Sequence, residues 1–240
     1  METVITLGYY VSSAGFLLAS IIMAMAARRF GKSTLASVIW YLFVGTAIFF
    51  VVTIFQKLGN DFFGISDDSM DVWWHIMFYL AMFSYYFGLR GLIGLGSADP
   101  ASSQASSISP KAWGMFAAAV VIAIFVGAGP LEQLMAVYNA SNLSVVGLHH
   151  FLSFIFAGVI GSYLLNAKQN LGQIGRAIAN PMIIGIWSLG AQHFWELMFE
   201  SWKWVNVTSE VGEGGERIFL VITSACIIYS AWRLKAFSQR

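Results

Sequence analysis

The sequence has few charged residues, since Asp, Glu, Lys and Arg make up only 10% of its 240 residues. Soluble domains carry about 25% charged residues, so this composition does not suit an ordinary water-exposed surface. Cysteine is scarcer still, because Cys226 is the only one, which excludes an intrachain disulfide and a cysteine-based metal site. The net charge of +1 gives no basis for binding nucleic acid.

Apolar residues take the place of charge: 58% of the chain is hydrophobic, and its mean hydropathy is +0.71. A helix of about 20 apolar residues, rising about 1.5 Å per residue, crosses the roughly 30 Å hydrocarbon core of a bilayer. Seven apolar segments are bounded by charge, Pro or Gly, at residues 4–27, 34–55, 72–95, 112–128, 144–167, 181–199 and 218–232. The sequence therefore predicts an all-α polytopic membrane protein, a seven-transmembrane-helix bundle whose surroundings are the lipid bilayer.

The distribution of charge along the chain predicts its orientation. Basic residues cluster after the first, third, fifth and seventh segments, as in Arg28 and Arg29 or Arg233 and Lys235, whereas most acidic residues lie in the alternate loops. Cytoplasmic loops of membrane proteins are enriched in Lys and Arg. The N-terminus is therefore predicted to lie outside and the C-terminus in the cytoplasm, with the plasma membrane as the expected location.

The chain also resembles a duplication of itself. When the second segment is laid over the sixth, Arg28 falls opposite Lys168 and Gly45 opposite Gly185. This pattern predicts a 3+1+3 arrangement within a single transmembrane domain of residues 1–240. Residues 1–96 would form the first triple-helix unit, residues 97–140 a Ser- and Ala-rich linker with a connector helix, and residues 141–240 the second unit.

The four histidines share one depth in the predicted bundle. Counted from the segment ends, all of them fall in the outer leaflet, on three different helices. Helical bundles build metal and cofactor sites from imidazoles and carboxylates that converge at one level. The predicted metal ligands are His75, His149, His150, His193 and Glu196. Because His149 and His150 point about 100° apart on a helix, we expect only one of them to face a given site.

Further polar and aromatic residues surround these positions. Asp71 precedes His75 by one helical turn, and Glu200 continues the stripe of His193 and Glu196, so these acids are predicted to form a polar network together with Gln192. Trp187 and Trp195 lie in the middle of the sixth segment, where packing in the core is their ordinary role. They are also the candidates for lining a pocket for a flat ligand.

Imidazole nitrogen binds Cu, Zn and Fe ions and also the iron of haem b, and the aromatic-rich sequence suits the flat apolar slot that a haem needs. We interpret the pattern as a metal- or haem-binding redox or sensory subunit of a membrane complex, with partner subunits or further copies of the chain in the bilayer. The common hydrolase and metalloprotease motifs are absent, so the sequence leaves open whether the protein is an enzyme.

Two other functions remain open on the sequence alone. An internal repeat of 3+1+3 layout is also typical of transporters for small solutes or ions. A structural subunit whose His and Glu residues respond to pH is the other alternative. A retinal photoreceptor is disfavoured, because the middle of the last segment reads VITSACIIY and Lys235 lies beyond its end.

Overall fold

The computed structural model describes residues 2–63, 67–96, 108–126, 133, 136–143, 147–168 and 172–238. Within these ranges the chain forms seven long α-helices and no β-strand, which confirms the predicted all-α class. Their bounds are α1 Glu2–Arg29, α2 Thr34–Phe63, α3 Asp67–Gly96, α4 Pro110–Val126, α5 Leu148–Ala167, α6 Gly172–Glu196 and α7 Ser209–Phe237.

Four stretches of helix are long and apolar enough to cross a membrane, which indicates a multi-pass membrane protein. They are Ile5–Arg29, Thr34–Gln56, Leu148–Asn166 and Ser209–Phe237. The count of seven spans and the orientation stay predictions. The predicted linker at residues 97–107 lies outside the described residues, as do residues 127–132 beyond α4.

The packing order brings the first and second halves of the chain together. Helix α1 packs against α2 and α7, α2 against α3, α6 against α5 and α7, and α3 against α5. These six helices therefore form a closed cycle of neighbours, while α4 contacts α2 and α3. The 3+1+3 repeat remains a prediction, because an order of packing does not test a sequence duplication.

Two helix starts differ most from the predicted segment starts. The sixth segment does not begin at Pro181, because α6 starts at Gly172 and contains the proline. Pro removes one backbone N–H but is tolerated within membrane helices, where neighbouring groups satisfy the freed carbonyl. Helix α7 starts at Ser209 rather than at residue 218. Its first turns contain Glu216 and Arg217, which are both buried and pair at 3.2 Å.

Gly45 allows α2 and α3 to approach closely. A Cβ atom at this position would lie 2.7 Å from ring carbons of Tyr85 and 2.9 Å from the carbonyl oxygen of Ala81. Tyr85 is fully buried, and its hydroxyl is 3.0 Å from Thr46 Oγ1. The tyrosine ring therefore has no free space into which it can move away.

We predict that Gly45→Ala destabilises the bundle by about 1–3 kcal/mol, the usual cost of forcing extra volume into a packed interior. Gly158→Ala is the matched control, because a Cβ at Gly158 meets nothing within 4 Å. Thermal unfolding of both variants in the same detergent should show a lower midpoint for Gly45→Ala alone. Equal midpoints for the two variants would show that the α2–α3 contact is not tight.

Candidate metal site

Helices α3, α5 and α6 bring all four histidines into one cluster. The ring of His75 contacts each of the others, with centroid separations of 4.5 Å to His149, 5.0 Å to His150 and 5.2 Å to His193. His149 and His150 are adjacent in the chain, and their rings lie 3.9 Å apart. Residues separated by more than a hundred positions in the sequence therefore meet at one level of the bundle.

The cluster contains two sets of residues that can hold a metal ion. The four-residue group comprises His75, His150, His193 and Glu196, which are all buried, and the three-residue group comprises Asp71, His75 and His149. In each group one ligand atom per residue lies within 4.8 Å of the others. His75 belongs to both groups, whereas His149 and His150 fall in different ones, as their angular separation on α5 predicts.

In His75 and His149, the Nδ1 atom is held by an oxygen. The Nδ1 atom of His75 is 2.8 Å from the backbone carbonyl oxygen of Asp71, so it carries the proton and donates it. The Nδ1 atom of His149 is 2.6 Å from the hydroxyl of Tyr138. In both rings the Nε2 atom is left for another partner.

His150 and His193 lie beside glutamates of α6 and of the turn that follows it. The Nδ1 atom of His193 is 2.7 Å from Glu196 Oε2. The Nε2 atom of His150 is 3.3 Å from Glu200 Oε2. His193 is completely buried, and the side chain of Phe78 packs against its ring at a centroid distance of 4.6 Å.

The second nitrogen of every ring is buried and makes no hydrogen bond within the part of the chain that the structure describes. These atoms are His75 Nε2, His149 Nε2, His150 Nδ1 and His193 Nε2. Two of them do lie near carboxylates, His149 Nε2 at 3.1 Å from Asp71 and His150 Nδ1 at 2.9 Å from Glu196, without the alignment of a hydrogen bond. Buried polar atoms normally have partners, whereas a metal-binding imidazole has one nitrogen held by oxygen and the other facing the ion.

The carboxylate of Glu196 is oriented by three neighbours. Its Oε1 atom accepts a hydrogen bond from Gln192 Nε2 at 2.9 Å, and its Oε2 atom lies 2.7 Å from His193 Nδ1 and 2.9 Å from His150 Nδ1. A buried carboxylate is costly unless it is paired in this way. Glu196 is therefore fixed at the junction of α5 and α6, where it can bind an ion or orient the histidines.

Helix α6 changes its winding directly after Glu196. Residues Leu197–Ser201 form a π-helical turn, a wider form of helix that often occurs at functional sites. Glu200 lies in this turn beside His150, and its side chain is 45% exposed. The two acids of the predicted polar network, Glu200 and Asp71, thus lie at the rim of the cluster, whereas the predicted ligand Glu196 lies inside it.

Tyr138 is a member of the cluster that the sequence did not predict. It lies before α5, in a stretch that contains no spacing pattern connecting it to the histidines. Partial burial raises the pKa of its hydroxyl above the usual value, so the group stays protonated near neutral pH. The hydroxyl can donate to or accept from His149, and either arrangement fixes the orientation of that ring.

The two predicted pocket tryptophans face other helices. Trp187 is 43% exposed and covers Gly161 of α5, while the indole N–H of Trp195 donates to the carbonyl oxygen of Gly212 at 2.8 Å. The ring of Trp195 also packs on Phe199 at 5.8 Å. These contacts are with surfaces of α5 and α7 and with the π-helical turn, so the flat-ligand pocket stays a prediction.

The fold and the cluster together define a class of protein. The chain is a helical protein with four helices that could cross a membrane, which indicates a multi-pass membrane protein, and with a buried group of histidines and a glutamate that could hold a metal ion. Comparisons with protein-family models, with curated proteins and with solved structures found no match to this chain. The side-chain chemistry of the cluster is therefore the basis for a functional proposal.

Proposed function

We propose that this protein is a membrane subunit that binds a transition-metal ion at the four-residue group and uses it in a redox or sensory role. The most direct support comes from the surroundings of the two nitrogens in each imidazole ring. His75, His149 and His193 each have Nδ1 held by an oxygen at 2.6–2.8 Å, and their Nε2 atoms are buried without a hydrogen bond among the described residues. His150 has a carboxylate near each of its two nitrogens. This arrangement costs stability in a merely structural cluster, whereas an ion would satisfy the free nitrogens.

The donor set suits particular metals. The four-residue group offers up to three imidazole nitrogens and one carboxylate oxygen. Zn, Cu and Fe accept such mixed donors, whereas Mg and Ca prefer sites made of oxygen alone. Bound Cu or Fe would supply electron transfer, and Zn would serve a sensory or structural role. The charge of Glu196 would offset part of the charge of a divalent cation in the low-dielectric interior.

The ring contacts favour an ion over haem b. Two imidazoles that bind haem iron must face each other across a flat apolar slot. Here the ring of His75 stands nearly perpendicular to that of His149, with an interplanar angle of 89°, and at 70° to that of His150. These edge contacts occupy the space that the porphyrin would need between His75 and its neighbours on α5.

The proposed position of the metal site relative to the membrane follows from the orientation that the sequence predicts. The positive-inside rule puts the histidine end of the bundle on the outer side of the plasma membrane. An ion there would be accessible to the exterior through the half-exposed rim of the cluster, which Asp71 and Glu200 form. Partner subunits or a second copy of the chain would receive the electron or the signal.

The test is the metal content of the purified full chain after equilibration with Zn²⁺, Cu²⁺ or Fe²⁺ in detergent. We expect at least one equivalent of metal per chain and no haem absorption band. His193→Gln should lose the metal of the four-residue group, because the amide replaces a buried imidazole with a weaker ligand. Glu213→Gln is the control, since Glu213 is exposed and is expected to keep the wild-type content.

Two results would contradict the proposal. A Soret band from the wild-type chain would indicate haem rather than an ion. A wild-type chain without stoichiometric metal would favour the alternatives, a pH-responsive structural network or a transporter.

A further inference from the structure

We propose that a second metal ion binds at the three-residue group, Asp71, His75 and His149, so that two ions share His75. The inference extends the proposed function, because His75 is also a ligand of the four-residue group. The T-shaped contact between His75 and His149 brings α3 and α5 together at this point. The second ion would lie closer to the rim of the cluster than the first, since Asp71 is 43% exposed.

One ligand atom from each of the three side chains lies within 4.8 Å of the others, and Asp71 has one oxygen near each of the two histidines. Asp71 Oδ1 is 3.4 Å from His75 Nδ1, and Asp71 Oδ2 is 3.1 Å from His149 Nε2. Charge-assisted hydrogen bonds between such groups are shorter, at about 2.7–2.9 Å. Ligands about 2.0–2.1 Å from an ion in tetrahedral geometry lie about 3.3–3.4 Å apart. The observed distances are longer than such hydrogen bonds, lie within the range of about 4 Å for an ion pair, and are also compatible with two ligands of one ion.

His149 already has the partners of a metal ligand. Its Nε2 atom is buried and makes no hydrogen bond to any described residue, while its Nδ1 atom is 2.6 Å from the Tyr138 hydroxyl. When Nδ1 donates its proton to the Tyr138 oxygen, this outer hydrogen bond fixes the ring and leaves Nε2 as the metal-binding nitrogen. The half-exposed Asp71 carboxylate leaves room for water or a small exogenous ligand on the same ion.

His75 can serve two ions because its two nitrogens point in opposite directions. Its Nε2 atom is free within the described cluster, and its Nδ1 atom lies beside Asp71. Binding of the second ion would break the Nδ1–H bond and form a bond from Nδ1 to the metal, and the proton would pass to solvent. The hydrogen bond from Nδ1 to the Asp71 carbonyl would be given up in the same step. The imidazolate ring would then bridge the two ions.

The experiment measures Zn²⁺ per chain, by mass spectrometry of the full-length protein in detergent after removal of unbound metal. We expect two equivalents in the wild type and in Glu213→Gln. We expect one equivalent in His149→Gln and in Asp71→Asn, each of which removes a ligand of the three-residue group alone. His193→Gln should also retain one, bound to the other group. Circular dichroism checks that each variant is folded. Asp71→Asn tests the three-residue group independently of His149→Gln.

Copper allows a second measurement, of the magnetic coupling between the two bound ions. Two Cu²⁺ ions bridged by one imidazolate couple magnetically, so the wild type should show a weaker electron paramagnetic resonance signal than its copper content implies. In His149→Gln the signal should equal the content of a single, uncoupled ion. Uncoupled signals from two ions in the wild type would overturn the bridge through His75.

The outcomes separate this inference from the proposed function. One equivalent in the wild type that His193→Gln removes and His149→Gln retains would overturn the second ion and leave the first. One equivalent that His149→Gln removes and His193→Gln retains would overturn the four-residue site and leave the three-residue group as the metal site. Two equivalents that His149→Gln does not change would place the second ion elsewhere, and no bound metal would overturn both proposals.

Discussion

Replacing His75 with Phe should abolish metal binding at both groups of ligands. His75 is the ring that both groups share, and it contacts the other three histidines. Phenylalanine fills a similar volume and keeps the aromatic contacts but offers no nitrogen to an ion. The metal content after equilibration with Zn²⁺ or Cu²⁺ should fall from two equivalents to the background of a metal-free blank.

The matched control for this variant is Phe83→Leu on the same helix. Phe83 is exposed, so its replacement should leave the metal content at the wild-type level. Retention of both equivalents by His75→Phe would contradict the sharing of this ring and with it the geometry proposed for both ions. A loss of metal in Phe83→Leu as well would indicate a general effect on folding.

Replacing Glu196 with Gln should cause the largest loss of stability. The Glu196 carboxylate is buried and interacts with Gln192, His150 and His193. Removing one partner of a buried charged cluster typically costs about 3–5 kcal/mol. The glutamine also weakens the four-residue metal site, so the stabilisation by the ion bound there should disappear. A ligand present at 100 times its Kd contributes about 2.7 kcal/mol by mass action.

Thermal unfolding with added Zn²⁺ and with a chelator measures both effects. The wild type should unfold at a higher temperature with Zn²⁺ than with the chelator. Glu196→Gln should unfold at a lower temperature in both conditions and respond less to Zn²⁺, whereas the exposed Glu213→Gln should behave as the wild type. A variant as stable and as responsive as the wild type would show that Glu196 neither supports the cluster nor binds the ion.

The common level of the histidines was predictable, because it depends only on counting along apolar helices. Each residue advances about 1.5 Å along the axis, so the distance of His75 or His193 from a segment end fixes its level. The starts of α6 and α7 were less predictable. Pro181 and the charged pair Glu216–Arg217 resemble segment ends in the sequence, but the surrounding helices accommodate all three within the bundle.

The sequence by itself determined the all-α class, the apolar character of helices long enough to cross a membrane, and the histidines and Glu196 of the cluster, whereas it assigned Asp71 only to the polar network. Only the tertiary structure decided which helices are neighbours, that Tyr138 holds His149, and that His149 and His150 serve different groups. The physical reason is that a helix between lipid and an apolar core is hydrophobic on every side, so its sequence does not reveal how it is rotated. Contacts between helices set that rotation, and with it the direction in which each imidazole nitrogen points.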